Sequence, residues 1–444
     1  MPTSYRPYMP EQGLLLPMSL SEWLPEDHLA YFVSDAVDAM DLRDFHARYE
    51  GDGRRRQPFD PRMMVKILIY GYASGVFSSR KVARKLHEDV AFRMLCANNY
   101  PAHRTIREFR QLHLEEFSAL FVQVVKLARE AGLVSLGRVG VDGTKIKANA
   151  SKHRAMSYAR MQDEEARLKR EIGGLLKQAE AQDAAEEDRY GPDDRNGGLP
   201  QELKRREDRL KVIEQAKARL EERQRQADKA DARFVDEEGV TRGMTGRRCL
   251  HTYGVPRSDA QDNFTDPDSR IMPTSGGGFE QCYNAQAAVD EGSQLILAAD
   301  LINHTSEAAM LLPMVDQLER NTGSRPQVLL ADTNYASDAG FTHLENMGLT
   351  AYVALGKEGG RRDRFAHAAR VPAMARMAQR LRTPEGAAHY RRRKVIPEPV
   401  FGWIKQVLGF RSFSLRGLVA VSAEWRLVCT AMNLKRLHRL GCTP

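Results

Sequence analysis

The chain has 444 residues, and 67 Lys and Arg against 59 Asp and Glu give a formal charge of +8 with His neutral. That length allows two or three domains around a substantial core, and the excess of cations suits a polyanionic partner better than a membrane. The 5 cysteines are scattered and form no Cys-x-x-Cys pair, which argues against a structural zinc site or a disulfide framework and for a reducing, cytoplasmic setting. The N-terminus lacks the apolar stretch of a signal peptide, and no run approaches the roughly 20 apolar residues of a membrane helix. There is no Gly-x-x-x-x-Gly-Lys phosphate loop and no His-Glu-x-x-His zinc motif, so no nucleotide cofactor and no metalloprotease chemistry are expected.

Residues 1–130 read as an all-helical unit. Asp60-Pro61 starts a helix, with Pro in its first turn. Ser78-Ser79 opens a second helix, with Ser as its N-cap. Val82, Ala83 and Leu86 form its apolar face, while Arg80, Lys81, Arg84 and Lys85 fall largely elsewhere. A third helix begins near His103 and carries Arg104 and Arg107. Short helices with basic faces and tight connections suit a helix-turn-helix-like DNA reader, and equally an ordinary bundle with a solvated face. Arg80, Lys81, Arg84, Arg104 and Arg107 are the DNA-contact candidates here. Further basic clusters lie at Arg54-Arg55-Arg56 and around Arg361, Arg362 and Arg364.

The apolar run Val139 to Val141 reads as a buried strand ending at Asp142, with Gly143 as a kink and a continuation through Ile146 and Ala148. Composition then shifts to Glu, Lys, Arg, Gln and Ala. Met161, Leu168, Ile172 and Leu175, and later Leu203, Leu210, Ile213 and Leu220, recur at near-heptad spacing. This predicts an inserted helical hairpin or coiled coil with its loop at 190–198, its first arm weakened by Gly173-Gly174. With its linker, the insertion covers 156–261.

After a Gly- and Pro-rich return at 262–284, Tyr283 to Val289 and Leu295 to Ala299 have hairpin spacing. A helix follows over Ser306 to Arg320, then the strand Val328 to Ala331 ending at Asp332. Next come a helix at Ser337 to Met347 and a strand at Ala351 to Leu355. Residues 356–388 read as a polar loop holding one helix at Pro372 to Arg382. The last helices are expected at 397–409 and 422–440. Three antiparallel strands followed by alternating helices and strands is the ribonuclease-H-like order: an α/β mixed-sheet core built from 131–155 and 262–444. In that order the first and fourth strands are neighbours, so Asp142 and Asp332 stand side by side, and the helix carrying Glu398 can pack against them. Carboxylates at strand ends can hold two Mg²⁺ roughly 3.5–4 Å apart, clamping the attacking and leaving oxygens of a phosphodiester.

The chain thus resembles the DDE transposases of bacterial insertion sequences. The resemblance rests on Val-Asp-Gly-Thr-Lys at 141–145, the Asn263 to Met272 block, Tyr283-Asn284-Ala285-Gln286, Ala331-Asp332, and the block from Tyr390 to Lys405. It implies Asp142, Asp332 and Glu398 as catalytic residues and ligands of two Mg²⁺, with Mn²⁺ as a substitute. It also implies metal-dependent cleavage and strand transfer on double-stranded DNA, at terminal inverted repeats and target, by a homodimer associated with the nucleoid. A family signature, Tyr-x2-Arg-x3-Glu-x6-Lys, fits Tyr390 to Arg393 and Glu398 to Lys405. Four residues, not three, separate Arg393 from Glu398, and Lys394 has the offset the signature asks for. Tyr390, Arg393, Lys394 and Lys405 are all carried as phosphate contacts. Between Asp332 and Tyr335 the resemblance leads one to expect a small residue and Gly, where this chain has Thr333-Asn334. The alternatives are a ribonuclease-H-like nuclease that does not join strands, and an inactive DNA-binding regulator derived from a transposase.

Overall fold

A computed structural model describes residues 19–49, 58–190, 201–244, 246–274, 277–356 and 371–442. The basic clusters at 54–56 and 361–364, and nearly all of the expected hairpin loop at 190–198, fall outside these residues.

The N-terminal third is helical: α1 (Leu29–Asp38), α2 (Arg43–Ala47), α3 (Pro61–Ala73), α4 (Ser79–Glu88), α5 (Val90–Leu95), α6 (His103–Leu112) and α7 (Leu114–Glu130). Asp60 caps α3 by accepting from the Arg62 N–H, with Pro61 at the first helical position. Ser78 occupies the N-cap of α4 but makes no capping hydrogen bond. The capping expected there therefore fails, and α4 is held by burial of Val82 and Leu86. α3 is apolar almost all round and buried, as befits a helix at the centre of a bundle.

The central sheet is mixed. β1 (Arg138–Lys147) lies between β7 (Phe279–Asp290), antiparallel, and β9 (Val328–Ala331), parallel. β10 (Thr350–Val353) extends the sheet beyond β9, while β6 (Arg270–Pro273) and β8 (Ile296–Ile302) pair with β7. β1 passes through Gly143 without a break, in register from Val139–Asp290 to Lys147–Cys282. The kink expected at Gly143 is absent, because antiparallel pairing continues on both sides of it. Helices α10 (Leu311–Thr322) and α11 (Asp338–Asn346) connect β8 to β9 and β9 to β10. This is the mixed sheet of a ribonuclease-H-like core. The Gly- and Pro-rich return holds short strands that its turn residues mask: β6 and, pairing with β2 (Ala155–Ser157), β5 (Gln261–Asn263).

The insertion forms two long helices, α8 (Tyr158–Tyr190) and α9 (Gln201–Ala230), followed by a short antiparallel pair, β3 (Phe234–Val235) and β4 (Thr241–Arg242). α8 runs unbroken through Gly173-Gly174; the surrounding strong helix formers outweigh the cost of about 1 kcal/mol per Gly. Met161, Leu168, Ile213, Ala216 and Leu220 make a small core of its own. Its base is tied to β5 by Arg219, 2.6 Å from the buried Asp262 carboxylate, and by Arg223 on the same group.

Downstream of β10 come α12 (Pro372–Arg382), α13 (Pro384–Arg391), α14 (Pro397–Gly402) and α15 (Leu418–Arg439). The helix α13 lies where a polar loop was expected; Thr383 caps it through the Gly386 N–H, followed by Pro384. α15 docks on the sheet through Trp425, whose indole N–H donates to the Gln286 carbonyl at 2.9 Å. Asn433 bonds both backbone groups of Ile296, at 2.7 and 2.9 Å. α15 also joins the sheet to the N-terminal bundle. Its Glu424, 1% exposed, accepts from the Tyr72 hydroxyl at 2.9 Å and lies 3.7 Å from the buried Arg110 guanidinium. Arg110 in turn donates to the Tyr72 hydroxyl at 2.7 Å. Glu424→Ala would strand the Arg110 cation without its anion, and should cost about 3–5 kcal/mol in denaturant unfolding.

Candidate active site

Asp142 and Asp332 meet because of strand register. Parallel pairing of β1 with β9 runs from Arg138–Val328 to Val141–Ala331, so the next residue on each strand is a carboxylate at the same edge. Asp142 Oδ1 accepts from the Gly143 N–H at 2.8 Å. Asp332 caps the following turn, accepting from the Asn334 backbone at 2.8 Å and from the Asn334 amide at 3.1 Å. Asn334, unexpected at that position, thereby holds both oxygens of Asp332.

Glu398 arrives on α14. Gly140 makes the approach possible: a Cβ there would lie 2.9 Å from Pro397 and 3.0 Å from Ile396, so only glycine lets α14 sit this close to β1. Glu398 is half-exposed, at the surface of the site. Between it and β1 stands Arg393, 3.1 Å from Asp142 and 3.4 Å from Glu398, itself 9% exposed. The extra residue between Arg393 and Glu398 is absorbed by a tight turn at Arg392–Val395. That turn directs Arg393 inward and leaves Lys394 exposed, although Lys394 has the offset of the signature. Tyr390 hydrogen-bonds Arg393, and burial raises its phenol above the usual value. The Lys405 ammonium is committed to β1, donating to the Thr144 hydroxyl at 2.5 Å and the Lys145 carbonyl at 2.9 Å.

The structure therefore gathers Asp142, Asp332, Glu398, Tyr390, Arg393 and Lys405 around one edge of the sheet. Arg80, Lys81, Arg84, Arg104 and Arg107 are exposed on α4 and α6, with Arg84 3.5 Å from Glu88. Three further groups stand beside the site: Glu307, Asn284 and Gln286. The last two belong to a quoted motif, and their polar side chains at alternate positions of an otherwise apolar strand were a signal that they share one face. Glu307 precedes a helix with no local signal to mark it.

Burial governs the electrostatics. It pushes the Asp142 carboxyl up to about 6, against the Arg393 charge, with Asp332 and Glu307 adding to the rise. Burial likewise raises Asp332. Among the described residues, no three His, Cys, Asp or Glu side chains are close enough to share a metal ion. Yet the donors suit one: hard carboxylate oxygens on adjacent strand ends, desolvated and mutually repelling, are the setting a divalent cation relieves.

Two families match parts of the chain. A family described as Transposase DDE domain matches residues 254–434, and one described as Transposase domain (DUF772) matches residues 18–112. The chain belongs to the DDE transposases of insertion sequences. The first match includes Asp332 and Glu398 and begins after Asp142. Comparison with curated proteins and with solved structures gives no match. Membership makes DNA the partner of this transposase and a divalent metal its class of cofactor. Among the described residues, no helix is long and apolar enough to cross a membrane.

The Asp142 shift makes a prediction for the metal-free transposase. In the unfolded chain this carboxyl ionises near 3.8; in the folded one it keeps its proton to about 6. Between these values the native state binds more protons, so this group's stabilising contribution is lost as pH rises through about 6. Thermal unfolding followed from pH 4 to pH 7 should show this loss in wild type and a flatter profile in Asp142→Asn.

Proposed function

We propose that this transposase cleaves DNA at the ends of its element and joins those ends to target DNA, with Asp142, Asp332 and Glu398 as its catalytic carboxylates. The observation that carries the reading is the parallel register that sets Asp142 and Asp332 at one sheet edge, with Arg393 linking Asp142 to Glu398. The three carboxylates would hold two Mg²⁺, or Mn²⁺ in their place, which when bound stabilise the attacking and leaving oxygens of the phosphodiester. Asp142 must be ionised to take part, and because burial raises its carboxyl, a proton and a metal ion compete for it. Glu398 is open to an incoming duplex, and Arg393 and Tyr390 stand beside it to hold a backbone phosphate. Lys394 is exposed for a phosphate farther along the strand. Lys405 fixes Thr144 and Lys145, and so the strand end that bears Asp142. Contacts to phosphate position DNA without reading its sequence.

Sequence reading falls to the N-terminal helices, where Arg80, Lys81, Arg84, Arg104 and Arg107 face solvent. Residues 1–130 would then form the end-binding unit, and 131–155 with 262–444 the catalytic unit. The α8–α9 hairpin projects as an arm through which two copies bring two ends together.

The test is a labelled duplex carrying the element ends, incubated with Mg²⁺ and either wild type or Asp142→Asn. Wild type should give site-specific 3′-OH ends and joined products. The variant should bind the duplex but cut it roughly 10³-fold more slowly, the loss of several kcal/mol of charge stabilisation. Cut ends without joined products would replace this reading with a nuclease, and bound duplex without cutting would replace it with a regulator.

A further inference from the structure

Behind the carboxylate pair lies a buried polar network that the proposed chemistry does not use. Glu307, 1% exposed, precedes α10. Its Oε1 accepts from the Asn284 amide at 2.6 Å and from the Lys145 ammonium at 3.3 Å. Its Oε2 has no hydrogen-bond partner among the described residues, and neither do Asn284 Oδ1 and Gln286 Nε2, although Asn284 and Gln286 are fully buried.

These groups converge on Gly143, the residue after Asp142. A Cβ there would lie 2.4 Å from Gln286 Nε2, 2.6 Å from Glu307 Oε1 and 2.9 Å from Asn284 Oδ1. The other end of the network reaches Asp332, since the Gln286 oxygen accepts the hydroxyl of Tyr335, which closes the turn after Asp332. One network thus touches the backbone beside both carboxylates. The Glu307 charge is felt at both, where it strengthens their hold on a proton. Lys145 acts on Asp332 with the opposite sign.

A buried carboxylate with an unpartnered oxygen is a costly structural filler, where a glutamine would bond the same neighbours uncharged. What the charge adds is negative potential behind two carboxylates. We propose that Glu307 is a positioning residue for divalent-cation binding at Asp142 and Asp332. Anchored by Asn284 and Lys145, it raises the local negative potential and fixes the strand ends. This rests on the reading of Asp142 and Asp332 as metal ligands.

The test is Mn²⁺ binding to the metal-free full-length protein at pH 7.5, read from the electron paramagnetic resonance signal of free Mn²⁺. Folding is checked by thermal unfolding. Wild type should bind, and Asp142→Asn should not. Glu307→Gln should weaken binding about tenfold, as loss of one nearby charge implies. Lys145→Met removes the opposing cation and should tighten it. A merely structural network predicts weakening in both, so weaker binding by Lys145→Met overturns the proposal, as does wild-type affinity in Glu307→Gln. If Glu307→Gln does not fold, the direction of the Lys145→Met shift decides alone. Undiminished binding by Asp142→Asn, or none by wild type, would bring down the metal-ligand reading and this proposal with it.

Discussion

The parallel pairing of β1 with β9 is the contact on which the rest of the site depends. Arg138 to Val141 lie in register with Val328 to Ala331, and each run ends in an Asp. A shift of one residue would turn every side chain of the strand to the opposite face and separate the two carboxylates. Register here is strongly specified, because Val139, Val141, Leu329, Leu330 and Ala331 are all buried and the antiparallel partner β7 locks the other side of β1. The long insertion leaves this pairing intact: it departs after β1 and returns through β5 and β6, anchored by Arg219 and Arg223 on Asp262. A helical hairpin with its own small core can grow at that point without disturbing the sheet.

Two glycines in β1 set how closely other elements approach. Gly140 admits Pro397 and Ile396, and with them the helix bearing Glu398; Gly143 admits Glu307, Asn284 and Gln286 from the other face. The site is thus supported on both sides of one strand, by a half-exposed carboxylate with Arg393 and by a buried carboxylate with Lys145. Burial makes Asp142 reluctant to ionise, and the Arg393 charge and the Gly143 N–H offset only part of that cost. A site so arranged suits a multivalent cation, and Arg393 spans Asp142 and Glu398.

Much of this was legible in the residues. Short β-branched runs ending in Asp, the order of strands and helices, and the heptad-like spacing of the insertion all follow from local pattern, and the mixed-sheet core agrees with the fold they imply. Other features were hidden because they depend on tertiary contacts. Gly143 reads locally as a kink, yet its partner strand keeps β1 straight and its missing side chain makes room for the polar network. The spacing of the signature favours Lys394, yet the turn at Arg392–Val395 puts Arg393 between the carboxylates. Glu307 carries no motif; only the fold brings it within reach of Asn284 and Lys145. The strands of the Gly-rich return and the helix Pro384–Arg391 were obscured by Gly and Pro that mark turns in isolation.

The proposed chemistry stands or falls on whether Asp142, Asp332 and Glu398 together hold the metal that works on DNA. The most direct measurement is anomalous diffraction from crystals of the transposase with Mn²⁺ and a duplex ending at the cleavage site. Mn²⁺ peaks are expected in contact with Asp142 and Asp332, with Glu398 completing the set and Arg393 moved off the carboxylates onto DNA phosphate. Peaks away from these side chains, or Arg393 still bridging Asp142 and Glu398 with DNA and Mn²⁺ bound elsewhere, would contradict it.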